Sequence, residues 1–147
     1  MDGQLRKAAA CHAKAYREYK EYLRGYAAGK ATDAENRLGG NAMSEEVSRK
    51  VRLRAGWVSA VDTVRVHLEK TDPEKAKVFE RLFGLDEENR YKDNRVIGLS
   101  MELNVSPANI YRWRESILNQ LILAATKEGV LNPFLGEEAK EEDCALQ

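Results

Sequence analysis

Apolar residues recur along this chain at intervals of three and four positions, which is the spacing of amphipathic helices. The pattern is clearest from about Gln4 to Lys30, where the stripe consists of Leu5, Ala9, His12, Tyr16, Tyr19, Leu23 and Tyr26. An aromatic stripe of this period is more typical of a packing seam than of base stacking, so we predict one long packed helix. The polar, glycine-bearing stretch 31–42 that follows predicts a flexible loop.

Two further helices are predicted between residues 44 and 84. The first runs from Ser44, a good N-cap, to about Lys70, and its apolar residues form a broad face that has to pack against another element. The second is capped by Asp72 or Thr71, has proline at its first helical position, and ends at Gly84.

The stretch 93–114 has the pattern of a helix-turn-helix. Ser100 is small enough to let two helices approach closely, and Asn104 tolerates the left-handed conformation needed at the break between them. Ser106 then caps the second helix and Pro107 occupies its first position. These residues predict two short helices that meet at a tight turn.

A helical wheel divides the second helix of this motif into two faces. The inner, apolar face consists of Ile110, Trp113, Ile117, Leu121 and Ala124. The outer face is short and polar, as a helix needs to be to approach base edges in a major groove, and consists of Ala108, Asn109, Arg112, Ser116 and Asn119, with Tyr111 at one flank. The amide of Asn109 suits adenine and the guanidinium of Arg112 suits guanine. Ser106 belongs to the same predicted DNA-binding site, and Lys92 and Arg95 are predicted phosphate contacts near the first motif helix.

The C-terminal part of the second motif helix has to pack against another element. Residues 121–125 are apolar on every side, so we expect the N-terminal helices or a second subunit to lie against them. Trp113 is predicted to anchor the core, and Arg114 to pair with an acidic residue of a neighbouring helix.

Composition supports an all-α fold, in which long N-terminal helices pack with the C-terminal helix-turn-helix. The 147 residues include only three prolines and are rich in residues that favour helices. We predict an N-terminal helix and flexible loop over 1–43, and a helical domain over 44–129 with the helix-turn-helix at 93–127. The broken, acidic stretch 130–147 is predicted to be a disordered tail.

The net charge says little about function, but the distribution of charge along the chain is uneven. The formal net charge is zero, but residues 128–147 hold one Lys/Arg against six Asp/Glu, which leaves 23 against 18 in the rest of the chain. That remainder is +5, a mild bias that is compatible with phosphate contacts.

Other classes of function have little support in the sequence. No apolar run reaches the roughly 18 residues of a membrane span, and the first residues lack the apolar core of a signal peptide, so a cytoplasmic protein is expected. There is no His/Cys metal spacing, no glycine-rich phosphate loop and no convincing pair of nucleophile and base. We therefore predict no enzymatic activity, catalytic residue, metal ion or cofactor.

The motif also resembles a known family. The helix with Phe79 and Phe83, followed by the turn at 103–106 and the run from Ile110 to Arg114, resembles the −35-binding C-terminal region of bacterial sigma factors. It is more similar still to the RinA/ArpU-type phage transcriptional regulators. The resemblance covers about residues 57–121 and implies a sigma region-4 type of helix-turn-helix, with RNA polymerase as a further partner. The promoter contacts that it implies are Ala108, Asn109, Tyr111, Arg112 and Ser116.

Three functional hypotheses follow from these observations. The leading one is a transcriptional regulator of phage or prophage origin that binds double-stranded DNA as a homodimer, with the stripe from Leu5 to Tyr26 and the apolar faces of the helix between Val47 and Leu68 as the reasons for a dimer. The second is a small DNA-recognition subunit of a phage packaging machine that assembles as a ring through the same stripe. The third is a protein-binding module in which the helix-turn-helix is only a scaffold.

Overall fold

The part of the chain that the structure describes contains six α-helices and one short 3₁₀ turn. The computed structural model describes residues 3–36, 45–89, 92 and 94–132, with the backbone alone for 28–36. The helices are α1 (Gly3–Lys14), α2 (Tyr16–Asn36), α3 (Glu45–Thr71), α4 (Pro73–Leu82), α5 (Val96–Leu103) and α6 (Pro107–Lys127), and the 3₁₀ turn is Glu87–Asn89. No strand occurs in these ranges, so the predicted all-α class is confirmed there.

The starts of two helices follow from their capping residues. The Asp72 carboxylate accepts a hydrogen bond from the Lys75 N–H at 3.2 Å ahead of α4, and the Ser106 hydroxyl accepts one from the Asn109 N–H at 3.2 Å ahead of α6. Each cap satisfies a donor that the first helical turn leaves unpaired, and each is followed by proline. Both predicted boundaries are confirmed. Ser44, the predicted cap of α3, lies outside the described residues.

The N-terminal segment is two helices, so the prediction of one long helix is wrong. The break falls at Ala15, whose N–H points at the carbonyl oxygens of both Cys11, at 3.3 Å, and His12, at 3.2 Å. It lets α1 pack against α6 while α2 packs mainly against α3. Tertiary packing therefore overrides local sequence, which has neither proline nor glycine at this point.

The predicted loop at 31–42 is also partly wrong. Helix α2 continues to Asn36, so the first six residues of that stretch are helical, and 37–42 lies outside the described residues. Alanine and glutamate in 31–36 are compatible with a helix, and the glycine pair that suggested a loop comes later, at 39–40.

The core is built around α3, which contacts α1, α2, α4 and α6. Trp57 of α3 is fully buried and stacks on the His12 ring, with 4.3 Å between ring centroids and 12° between the planes. The Nδ1 of His12 lies 2.6 Å from the Tyr19 hydroxyl. Burial lowers the pKa of His12 to about 4, so the ring is neutral at pH 7. The histidine is thus packed, as predicted.

The N-terminal stripe is an intramolecular seam. Its first five residues are buried within the single chain, namely Leu5, Ala9, His12, Tyr16 and Tyr19. The Tyr16 hydroxyl donates to the Asp62 carboxylate of α3 at 2.5 Å, which ties α2 to α3. The stripe therefore gives no reason to expect a second subunit.

Helix α6 ends under the N-terminal helices. Leu121, Ile122 and Ala125 are buried where α1 and α3 lie against α6, and the prediction that the N-terminal helices cover this segment is confirmed. Leu123 is the exception, with 56% of its surface exposed.

The core continues past the end of α6. Val130 and Leu131, which the sequence assigned to the tail, pack against the core. Val130 sits directly over Gly56 of α3, where a β-carbon would overlap its Cγ1. None of the described helices has the length and apolar content needed to cross a membrane.

Candidate nucleic-acid interface

The turn between α5 and α6 has the conformation that the sequence predicts. Asn104 has φ 57° and ψ 45°, the left-handed region in which asparagine is tolerated, and its N–H donates to the Ser100 carbonyl oxygen. The Val105 N–H reaches the same oxygen at 3.0 Å. The chain then extends through Ser106, with φ −68° and ψ 148°, before α6 begins.

Close packing holds the two motif helices together. Ser100 is buried, and its hydroxyl donates to the Ile97 carbonyl oxygen of its own helix at 2.9 Å, so its hydroxyl is satisfied within the seam. Leu99 of α5 and Ile110 of α6 are fully buried. The small side chain at position 100 is therefore placed as predicted.

A buried arginine fixes α5 against α4. Arg81 is only 3% exposed, and its guanidinium donates to the Glu102 carboxylate of α5 and, at 3.1 Å, to the Asn94 side-chain oxygen. The Asn94 amide donates in turn to the Asn89 carbonyl oxygen at 3.0 Å. The hydrogen bond from Arg81 holds the pKa of Glu102 below its usual range. Sequence reasoning missed this network, because Arg81 follows an ordinary charged pattern on α4.

The first turns of α6 present the predicted contact face. Ala108, Tyr111 and Arg112 are exposed, and 59% of the Tyr111 surface is open. Asn109 is half-buried, with its backbone N–H held by the exposed Ser106. These five residues lie together at the N-terminal end of the helix, which is the part that approaches base edges in helix-turn-helix proteins.

Two predicted contacts farther along α6 are placed differently. The Ser116 hydroxyl lies 3.2 Å from Nζ of Lys75 on α4 and is half-buried. The side-chain oxygen of Asn119 is buried, and no described residue offers it a hydrogen bond. The expectation that Asn119 faces outward is therefore wrong for this oxygen, since α6 packs against α1, α3, α4 and α5 rather than against one neighbour.

The two predicted phosphate contacts lie in different clefts. Arg95 is exposed and lines a cleft of about 420 Å³ together with Lys14, Tyr111 and Arg114. Lys92 is exposed too, but lines a separate cleft with Arg81 and acidic residues of α3, α4 and the 3₁₀ turn. Only Arg95 is thus near the α6 face.

Arg114 has a different neighbour from the one expected. Its guanidinium lies 5.9 Å from the centroid of the Phe83 ring, and no carboxylate of the described residues is within 4.0 Å of it. The acidic partner predicted from the sequence is therefore replaced by an aromatic ring, which attracts a cation through its π face. Lys14, which sequence reasoning did not select, lies in the same cleft because α1 packs on α6.

Comparison of the chain with protein-family models, curated proteins and solved structures found no match. In the parts of the chain that the structure describes, no three or more His, Cys, Asp or Glu side chains are grouped so as to hold a metal ion. The candidate site therefore rests on its own geometry: an exposed, polar start of α6 on a packed motif, with basic side chains on one side.

Proposed function

We propose that this protein is a sequence-specific DNA-binding transcriptional regulator that inserts the start of α6 into the major groove. The observation that carries the proposal is the shared exposure of Arg112, Tyr111 and Ala108 on the first turns of a capped helix. Arg112 supplies a fork of donors that suits guanine, and the half-buried Asn109 supplies an amide that suits adenine. Because α4 and α5 pack against α6, this face is presented in one fixed orientation, as specific base contacts require.

The sigma region-4 type of motif is part of the same proposal. The similarity to RinA/ArpU-type phage regulators supports it, together with the order of α4, α5 and α6 and the left-handed turn at Asn104. On this proposal the protein acts in the cytoplasm, on promoter DNA of phage or prophage origin, with RNA polymerase as a further partner. It uses no catalytic residue, metal ion or cofactor.

A homodimer remains part of the proposal for a reason different from the N-terminal stripe. Helix-turn-helix proteins commonly bind two half-sites about one helical turn apart, and one copy of α6 reads only one of them. Light scattering of the free protein and of its complex with a selected duplex gives the number of copies. The ring-shaped packaging subunit loses its main support, because five of the seven residues of the stripe that would have joined its subunits are buried within one chain.

The test is binding of duplex DNA by the purified chain. Bound sequences are first selected from a random pool, and the affinity for the selected duplex is compared with that for a mixed-sequence duplex. Replacing Asn109 and Arg112 with alanine should weaken binding of the selected duplex by about 2–6 kcal/mol, since a good base contact contributes about 1–3 kcal/mol. Binding of the mixed-sequence duplex should change much less.

Arg52→Ala is the matched control, because Arg52 is an exposed arginine of α3. It removes the same charge without touching α6, and should leave the selected site bound as before. If the wild-type chain binds no duplex at low salt, the proposal is wrong and the protein-binding module is favoured. If the Asn109/Arg112 variant binds the selected duplex normally, α6 is not the recognition helix.

A further inference from the structure

Five basic side chains of α1 and the motif form one continuous surface. Lys14 and Arg114 line both of two neighbouring clefts; Arg95 lines the first cleft with them, and Arg6 and Lys7 line the second. Because the two clefts share residues, their linings are contiguous. We call these five residues, Arg6, Lys7, Lys14, Arg95 and Arg114, the basic band.

The two clefts of the basic band differ in charge from two other clefts of the described residues. No carboxylate is among the described residues that line its two clefts. Two other clefts of the described residues are mixed in charge: one has Glu69, Glu80 and Glu88 beside its basic residues, and another has four acidic residues beside Arg17, Lys20 and Arg24. In a chain with equal numbers of acidic and basic residues, this segregation marks the band as a surface for a polyanion.

The basic band borders the proposed contact face of α6. Tyr111, at the flank of that face, lines the first cleft beside Lys14 and Arg95. Helix α1 is fixed there by its packing on α6 and by an ion pair of 3.6 Å between Arg6 and Glu115. Lys7 and Lys14 are exposed on α1, so their charges are presented beside the recognition helix rather than on the far side of the molecule.

We propose that α1 contacts the phosphate backbone of the duplex next to the groove that α6 enters. The inference rests on the proposed function and adds to it a second element, α1, that lies outside the helix-turn-helix. Such contacts fix the orientation of the protein on DNA and add affinity that is independent of sequence. Lys7 and Lys14 are the side chains that supply them, with Arg95 at the start of α5 between α1 and α6.

The experiment replaces Lys7 and Lys14 with glutamine, which keeps a good helix former at both positions. Binding of the selected duplex and of a mixed-sequence duplex is measured over a range of salt concentrations. The Lys7→Gln/Lys14→Gln variant should bind both duplexes about tenfold more weakly at low salt, with the ratio between them unchanged. The slope of log affinity against log salt should fall by about two, one for each phosphate that the variant no longer neutralises.

Lys50→Gln/Lys127→Gln is the matched control, since it removes the same charge far from the start of α6, where the proposed contact face lies. Lys127 lies 13 residues after Arg114 on α6, about 20 Å along the helix. Lys50 precedes Gly56 on α3. Gly56 packs against Val130, which follows the C-terminal end of α6, so this part of α3 lies near that end of the helix. This control should keep the wild-type salt slope, and melting curves of both variants should match the wild type.

The outcomes separate this inference from the proposed function. If the Lys7/Lys14 variant keeps the wild-type affinity and salt slope while the Asn109/Arg112 variant loses the selected site, α1 makes no phosphate contact and the function stands. An equal loss in the Lys50/Lys127 control also overturns the inference, because the effect then comes from net charge alone. If the wild-type chain binds no duplex at all, both ideas are wrong.

Discussion

Gly56→Ala offers a sharp test of how α3 meets the end of α6. Gly56 is buried in the middle of α3, and a β-carbon built there would lie far inside the 3.0 Å that real β-carbons respect, against Cγ1 of Val130. The Val130 Cβ and Cγ2 would stand at 3.3 Å and 3.4 Å. The Val130 side chain cannot easily move away from α3, because Gly129 before it has φ 76° and Leu131 after it is buried.

Two opposing terms set the size of the effect. Alanine is favoured over glycine in a helix interior by about 1 kcal/mol. Forcing an extra carbon into a packed contact costs about 1–3 kcal/mol. Gly56→Ala should therefore lower the free energy of unfolding by up to about 2 kcal/mol. In a Val130→Ala background Cγ1 is gone, so the same change should raise the free energy of unfolding by about 1 kcal/mol.

The assay is a double-mutant cycle measured by urea unfolding. The coupling between positions 56 and 130 is expected to be about 1–3 kcal/mol, the whole of the overpacking term. Gly25→Ala in α2 is the control for propensity, because a β-carbon there meets nothing within 4 Å. It should stabilise the protein in both backgrounds. A coupling near zero would show that Val130 does not lie on α3 and would refute this reasoning.

Two further predictions concern protonation and the acidic tail. Since the pKa of His12 is about 4 in the folded chain against 6.5 for a free histidine, the unfolded state binds the proton first as pH falls. Stability should therefore decrease from about pH 6.5 to pH 4, by about 3 kcal/mol, and this part of the pH dependence should be absent in His12→Phe; an unchanged slope in the variant would contradict it. Deletion of residues 133–147, which keeps the buried Leu131, should tighten binding of a mixed-sequence duplex at low salt, because five acidic residues are removed with one lysine. Equal affinity of the two chains at low salt would mean that the tail does not compete with DNA.

Much of the motif could be predicted because its information is local. Asp72, Ser106 and their prolines set helix starts through bonds to residues three positions away, and Asn104 sets the turn through its own backbone angles. The exposure of Tyr111 and Arg112 follows from the same register, since the buried Ile110 fixes the opposite face. Such features need no knowledge of what packs nearby.

The remaining features depend on contacts that are distant in sequence. The break at Ala15 exists because α1 and α2 pack on different helices, and nothing in residues 11–16 signals it. Arg81 pairs with Glu102, 21 positions later, so its burial has no local sign. The helical wheel misplaced the side-chain oxygen of Asn119 because it assumes one covered face, whereas α6 packs against several other helices. The basic band could not be predicted either, because its residues are distant in sequence: Lys14 and Arg95 are 81 positions apart.

The anchoring of α5 also bears on how the proposed DNA-binding unit could be moved between proteins. A fragment cut at residues 93–127 would keep both motif helices, yet Glu102 and Asn94 would lose Arg81, and Ser116 would lose Lys75. Both donors stand on α4, so a graft that keeps these bonds has to include α4 and starts at the Asp72 cap. A chimera designed on the two-helix motif alone would therefore carry the proposed contact residues without the bonds from α4 that help to orient them.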